Sequence, residues 1–111
     1  MPSLVDGIHV VNTETIPGFV IQDQVGVVSG STVRAKNVVR DISQMLKNIV
    51  GGELHQYTNL LIESRNEAFS RMLEDAKARG ANGVVNLRFA TSAVSPGAAE
   101  LFCYGTAVIV E

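Results

Sequence analysis

The segment from Leu101 to Val110 constrains the fold more than any other, because it has strand-like alternation and yet is apolar on both sides. Leu101, Cys103, Ala107 and Ile109 fall on one side, and Phe102, Tyr104, Val108 and Val110 on the other. A single layer of helices can shield only one face of a sheet, so a chain that contains this strand needs a second cover. A neighbouring copy of the same chain is the economical cover, with a second internal layer as the alternative.

The rest of the chain supplies that single helical layer. From Ala35, residues Val38, Ile42, Met45, Leu46 and Ile49 recur at helical spacing, and Gly51-Gly52 ends the run. A second helix is expected from about Leu54 to Arg79. Leu61, Ala68, Phe69, Met72, Leu73 and Ala76 lie on its apolar face, Glu63, Glu67, Ser70, Glu74 and Lys77 lie opposite, and Gly80 is its stop. Before the helices, His9 to Thr15 reads as extended, Pro17-Gly18 as a turn, and Phe19 to Ser29 as a strand. That strand puts Phe19, Ile21, Val25 and Val27 on one face and Val20, Gln22, Gln24 and Val28 on the other, with Gly26 and Gly30 marking a bend or a close backbone approach. After Gly80-Ala81-Asn82-Gly83 the period returns to two: Val85, Leu87 and Phe89 point one way, Asn86 and Arg88 the other. Ser95-Pro96-Gly97 then joins Val84–Thr91 and Leu101–Val110 as an antiparallel hairpin. The fold class is α+β, and residues 1–111 form one domain.

Composition narrows the function classes. Hydrophobic residues make up 46% of the chain and charged residues 18%, more apolar surface than a small monomer needs, which again favours an oligomer. Nine Lys and Arg against 11 Asp and Glu leave a net charge of -2 and no broad cationic surface for phosphates, so nucleic acid is not an expected partner. Met1 to Val11 has neither a basic start nor an apolar core of a signal peptide, and no apolar run reaches bilayer length; the expectation is neither export nor membrane insertion. The lone Cys103 rules out an intrachain disulfide framework and agrees with a cytoplasmic location.

The residues that carry chemistry are few. His9, His55 and Cys103 are the soft or borderline metal donors, and no pair of them stands at a recognised ligand spacing. His55 reads as an exposed histidine near a helix start, or as one that symmetry brings together with its copies. Cys103 sits among apolar neighbours with no activating base in sequence reach and reads as a buried, inert thiol. Val25-Gly26-Val27-Val28-Ser29-Gly30 matches neither the dinucleotide nor the Walker phosphate loop, so its glycines are strand geometry. Arg65 projects between Met72 and Ala76 within the apolar arc of its helix and calls for a partner: it snorkels out, pairs with a carboxylate such as Asp41 on the preceding helix, or reaches a backbone carbonyl or an anion across a subunit contact, with structural pairing favoured over ligand binding. Arg40 and Tyr57 complete the set Arg40, Asp41, Tyr57 and Arg65, expected near subunit contacts and ligand-binding if any residues are. No catalytic constellation, resident metal or cofactor is expected, and the chain is not read as an enzyme.

Taken together, several short stretches resemble the YbjQ-like proteins, a family labelled heavy-metal-binding. They are Thr13 to Gly18, Gly26-Val27-Val28-Ser29-Gly30, Arg40-Asp41, Ile49-Val50-Gly51-Gly52, Tyr57, Arg65 with Ala68 and Met72, Gly80-Ala81-Asn82-Gly83-Val84-Val85 and Gly105-Thr106-Ala107-Val108. The resemblance covers nearly the whole chain. It implies a dodecin-like β-α-β-β subunit, an antiparallel sheet with helices on one face, and assembly into a ring of five, with no characterised activity. The chain departs from it at Gly83, where alanine is expected and where glycine would loosen the turn between helix and strand. The expected function is therefore that of a homo-oligomeric binding or scaffold protein. The alternative is a metal-handling or small-ligand protein whose site forms between subunits, at His55 or clustered carboxylates.

Overall fold

The computed structural model describes residues 3–34, 53–95 and 98–111, with side chains at 4–32, 62–91 and 100–111. Five strands and a helix follow in chain order: β1 (Ser3–Val5), β2 (Ile8–Val10), β3 (Ile21–Arg34), α1 (Glu53–Ala78), β4 (Gly83–Ser95) and β5 (Ala98–Val110). The helix expected from Ala35 to Ile49 lies outside the described residues. The strands form one sheet in the order β1-β2-β4-β5-β3. The β4–β5 hairpin is antiparallel as expected, and β3 returns antiparallel to β5 on its far side. The sheet as a whole is mixed rather than antiparallel, because β2 joins β4 in parallel through His9–Gly83 and Val10–Val84. The chain leaves β2, crosses in β3 and α1, and comes back to β2's neighbour in the same direction, a return that short turns alone cannot make.

Helix α1 follows its apolar stripe. Ala68, Met72 and Ala76 are fully buried, Leu73 nearly so, and they pack on Val28, Val84, Cys103 and Ala107 of the sheet. At its end the Ala81 N–H donates to the Ala76 carbonyl and the Gly80 N–H to the Lys77 carbonyl, while Gly80 takes φ +79°. This is a Schellman cap, and it needs a residue free to be left-handed. The stripe runs through Ser64, Ala68, Met72 and Ala76, four residues apart, and so rotates about 40° per step around the helix. Arg65 lies beside this drifting seam and is exposed, which corrects its placement inside the apolar arc. The polar residue that is buried at this level is Ser64. Its carbonyl and that of Leu101 each lie 3.4 Å from the Thr32 hydroxyl, which ties β3 to both the helix and β5.

Register slips overturn the simple alternation of β3 and β4; besides the bulges at Gly26 and Asn86, β3 slips against β5 between Ile21 and Asp23, and β4 between Ala93 and Ser95. The β3–β5 register slips between Gln24 and Gly26, where Gly26 has φ +135°. As a result Val25 and Val28 both pack toward the helix and Val27 points to the outer face, so Val25 and Val27 do not share a side. The β4–β5 register slips between Val85 and Arg88, with Asn86 at φ +56°. Val84 therefore faces the helix, Val85 the outer face, and Leu87 the helix again.

On the outer face the chain provides part of its own second cover. The segment between β2 and β3 turns at Pro17-Gly18, where the Phe19 N–H donates to the Ile16 carbonyl. It lays a fully buried Ile16 on Val85, Val108 and Val110, with Val11 alongside. Val108 is thus buried within one chain and does not wait for a second copy. Gly83 serves the same packing rather than loosening a turn, since a Cβ there would stand 3.0 Å from the Ile16 Cδ1 and 3.1 Å from the Val108 Cγ2.

Candidate functional site

Beyond the reach of Ile16, the outer face is uncovered among the described residues. Register places Val27, Ser29 and Ser31 of β3, Phe102, Tyr104 and Thr106 of β5, and Arg88 and Ala90 of β4 on this side. Val27 is 64% exposed and Tyr104 38% exposed, and the Phe102 and Tyr104 rings lie 5.7 Å apart in a tilted pair. An aromatic pair beside an open valine forms an apolar patch among Ser29, Ser31, Thr106 and Arg88.

The edge of the sheet at β3 is treated differently. The Ser29 N–H donates to the Asp75 Oδ2 at 3.4 Å, and the Arg71 guanidinium donates to the Ser31 carbonyl. Asp75 also pairs with Arg79 at 3.1 Å, and Arg71 with Glu67 at 2.6 Å, each one helical turn apart. Exposed pairs of this kind add little stability. Their effect is to occupy backbone groups that would otherwise recruit another strand.

Toward the other end of the outer face, both bulges meet the same short stretch of β5. Ile21, Gln24, Val85, Asn86, Thr106 and Val108 line an open depression of about 230 Å³ there. Asn86 is held by its backbone, whose N–H donates to the Thr13 carbonyl, while the next amide, Leu87, donates to the Val11 carbonyl. Arg88 is drawn away from the depression, with Nη1 2.9 Å from the Asn12 carbonyl and 2.8 Å from its neighbour Leu87's. None of the six lining side chains is charged.

Of the residues singled out from sequence, Arg40 and Asp41 lie outside the described residues. Tyr57 and His55 belong to α1, but their side chains are also outside them. Arg65 is exposed and makes no ion pair among the described residues, so no cluster with the other three is formed there. Gln24, Asn86 and Thr106 were not singled out. A signal for them exists in Val84-Val85-Asn86: two adjacent buried valines break the alternation, and asparagine tolerates a left-handed backbone better than most residues.

Comparison with known proteins shows the family of this chain. A family model named YbjQ, described as "putative heavy-metal-binding", matches residues 8–111. The chain belongs to this family. A UPF0145 protein of Hahella chejuensis is 59% identical over 102 residues, covering 92% of this chain and 98% of its own. Another, of Pyrococcus furiosus, is 51% identical over all 111 residues and 97% of its own length. A solved structure from Pediococcus pentosaceus, a DUF74 family member of unknown function, matches with a TM-score of 0.60 at 17% identity, over 96% of this chain and all of that one. At that identity the likeness shows the α+β fold alone.

The family's heavy-metal description finds no matching donors among the described residues. No group of three or more His, Cys, Asp or Glu side chains stands close enough to share an ion. Burial pushes the Cys103 thiol up to about 11, whereas a metal binds the thiolate, and its Sγ is in contact with the Met72 Sδ at 3.5 Å. The His9 ring packs on Phe19 with centroids 4.4 Å apart, and its Nδ1 is buried with no hydrogen-bond partner among the described residues. No helix among the described residues is long and apolar enough to cross a membrane.

Proposed function

We propose that this UPF0145/YbjQ family member is a non-enzymatic, cytoplasmic, homo-oligomeric binding or scaffold protein, assembled through the outer face of its sheet into the dodecin-like ring of five that the family resemblance implies. The observation that carries this reading is the Val27, Phe102 and Tyr104 patch, which the described residues of one chain leave open. A monomer that kept such a patch wet would forgo the burial that drives association. The capped β3 edge directs association to the face rather than to strand addition at Ser29 and Ser31. The non-enzymatic part rests on the described residues, where Cys103 is a protonated, enclosed thiol and the open depression holds only neutral side chains.

Light scattering on Val27→Glu and Tyr104→Glu tests the assembly. Both positions are open in one chain, so each variant is expected to fold, by circular dichroism, and to lose the wild-type mass. A monomeric wild-type protein, or variants that keep its mass, would overturn the reading.

A further inference from the structure

We propose that the depression between the two bulges is a binding site for a small, neutral, flat molecule that presents an amide edge, an N–H and a C=O side by side. The site is built by the backbone. β3 bulges on one side of β5 between Gln24 and Gly26, and β4 bulges on the other side between Val85 and Arg88. Both act on the Thr106–Val108 stretch. A bulge bends its strand and re-aims the side chains around it, and bulges concentrate beside binding sites. Here two of them open the outer surface at one place.

The lining decides the ligand class. Val85 and Val108 are nearly fully buried and fixed by Ile16, so they form a firm apolar floor, with Ile21 as one wall. Gln24, Asn86 and Thr106 add amide and hydroxyl groups that make no side-chain hydrogen bond among the described residues. An Asn or Gln amide offers a donor and an acceptor in one plane, which is the complement of another amide edge, and the threonine hydroxyl serves in either sense. A phosphate or carboxylate would lose water and find no cation among the six lining residues, so charged ligands are disfavoured. At about 230 Å³ the space is below the roughly 300 Å³ where drug-sized pockets begin. A single ring with a carboxamide, or a lactam ring, is the scale that fits. All six lining residues belong to one chain, but they open on the face proposed for assembly, so the titration is repeated on Tyr104→Glu, where a site covered by a second copy is freed and an absent site stays silent.

The test titrates the full-length protein with nicotinamide and, separately, with nicotinate, which keeps the ring and replaces the neutral amide by a carboxylate. The readout is the amide ¹H–¹⁵N correlation spectrum. Nicotinamide is expected to bind with a millimolar dissociation constant and to shift Val85, Asn86, Leu87 and Thr106 to Val108, while nicotinate leaves them in place. Asn86→Gly keeps the left-handed backbone and removes the amide, and Gln24→Ala changes an exposed rim residue; each is expected to weaken nicotinamide about fivefold, the effect of one lost hydrogen bond, with the rest of the spectrum unchanged. Equal response to the two compounds, shifts confined elsewhere, no shifts at all, or undiminished binding by both variants would overturn the proposal.

Discussion

The side chain of Asn82 holds the backbone of Val110 from both directions: its Nδ2 donates to the Val110 carbonyl at 2.9 Å, and the Val110 N–H donates to its Oδ1 at 2.7 Å. The Asn82 backbone is also engaged, its N–H with the Val108 carbonyl and its carbonyl with the N–H of His9. One residue just before β4 therefore continues the ladder toward both β5 and β2. Asn82→Ala removes two partly buried hydrogen bonds and is expected to cost about 2 kcal/mol in urea unfolding. Asn82→Asp keeps the acceptor but faces the Val110 carbonyl with a carboxylate, and is expected to cost at least as much at neutral pH. A loss below about 0.5 kcal/mol in both would show that Val110 is held by its neighbours alone.

Gly30 marks a close approach of sheet to helix. A Cβ at this position would lie 2.3 Å from both the Ala68 carbonyl oxygen and the Met72 nitrogen, which are backbone atoms of α1 and cannot swing aside. Gly30→Ala is expected to cost about 3 kcal/mol, by forcing the helix off β3. Gly7→Ala is the contrast: φ is +82° but nothing stands within 4 Å, and about 1 kcal/mol of backbone strain is expected. Thermal unfolding of the two variants side by side separates a packing role from a conformational one.

These glycines show what the sequence made legible. Gly26 and Gly30 together read as a bend or a close approach, and the structure has a bulge at the first and a close approach at the second; Gly80 reads as a helix stop and Pro17-Gly18 as a turn, because each depends on local backbone freedom. The two faces of β5 were also legible, since no bulge interrupts its own period. The faces of β3 and β4 were not. In β4 the extra residue at Asn86 reverses the side chains that follow, whereas in β3 two slips, between Ile21 and Asp23 and between Gln24 and Gly26, displace only the stretch between them and return Val27 to the face of Ile21; simple alternation carries no mark of where that happens. Ile16 went unrecognised as the outer cover because one isoleucine in a turn-rich segment has no periodicity. The depression was hidden for a related reason: it is assembled from three strands whose facing depends on both bulges.

Arg65 lies off the buried seam of α1, and Arg65→Met is expected to change stability by no more than about 0.5 kcal/mol. Its wild-type charge is already solvated and needs no buried partner to offset it. A loss above about 2 kcal/mol on thermal unfolding would mean that the guanidinium is held by a partner in the assembled protein, as expected of an interface arginine.

Val108 and Tyr104 sit on the same face of β5 with different covers. Val108 is buried under Ile16 within one chain, whereas Tyr104 is open. Val108→Asp is expected to unfold the protein, since a carboxylate would enter an enclosed apolar cluster without a partner. Tyr104→Asp is expected to retain native circular dichroism and change only the mass seen by light scattering. If Val108→Asp also folds and merely dissociates, Ile16 is not the cover of this cluster in solution.

Cys103 gives the fold an alkaline limit. Burial against Met72 raises its thiol from 9.0 to about 11, so the native state keeps the proton after the unfolded chain has lost it. The sign follows from linkage: the contribution is fully present below pH 9, declines as pH rises from there, and is exhausted above about pH 11, for a total of about 2–3 kcal/mol. Between those limits the wild-type unfolding free energy is expected to fall with pH more steeply than that of Cys103→Ala, which lacks the titrating group while keeping a small apolar side chain. Urea titrations of both proteins across this range measure the difference. Parallel pH profiles would show that the thiol ionises as readily in the folded chain as in the unfolded one, and that the packing of β5 on Met72 opens to water.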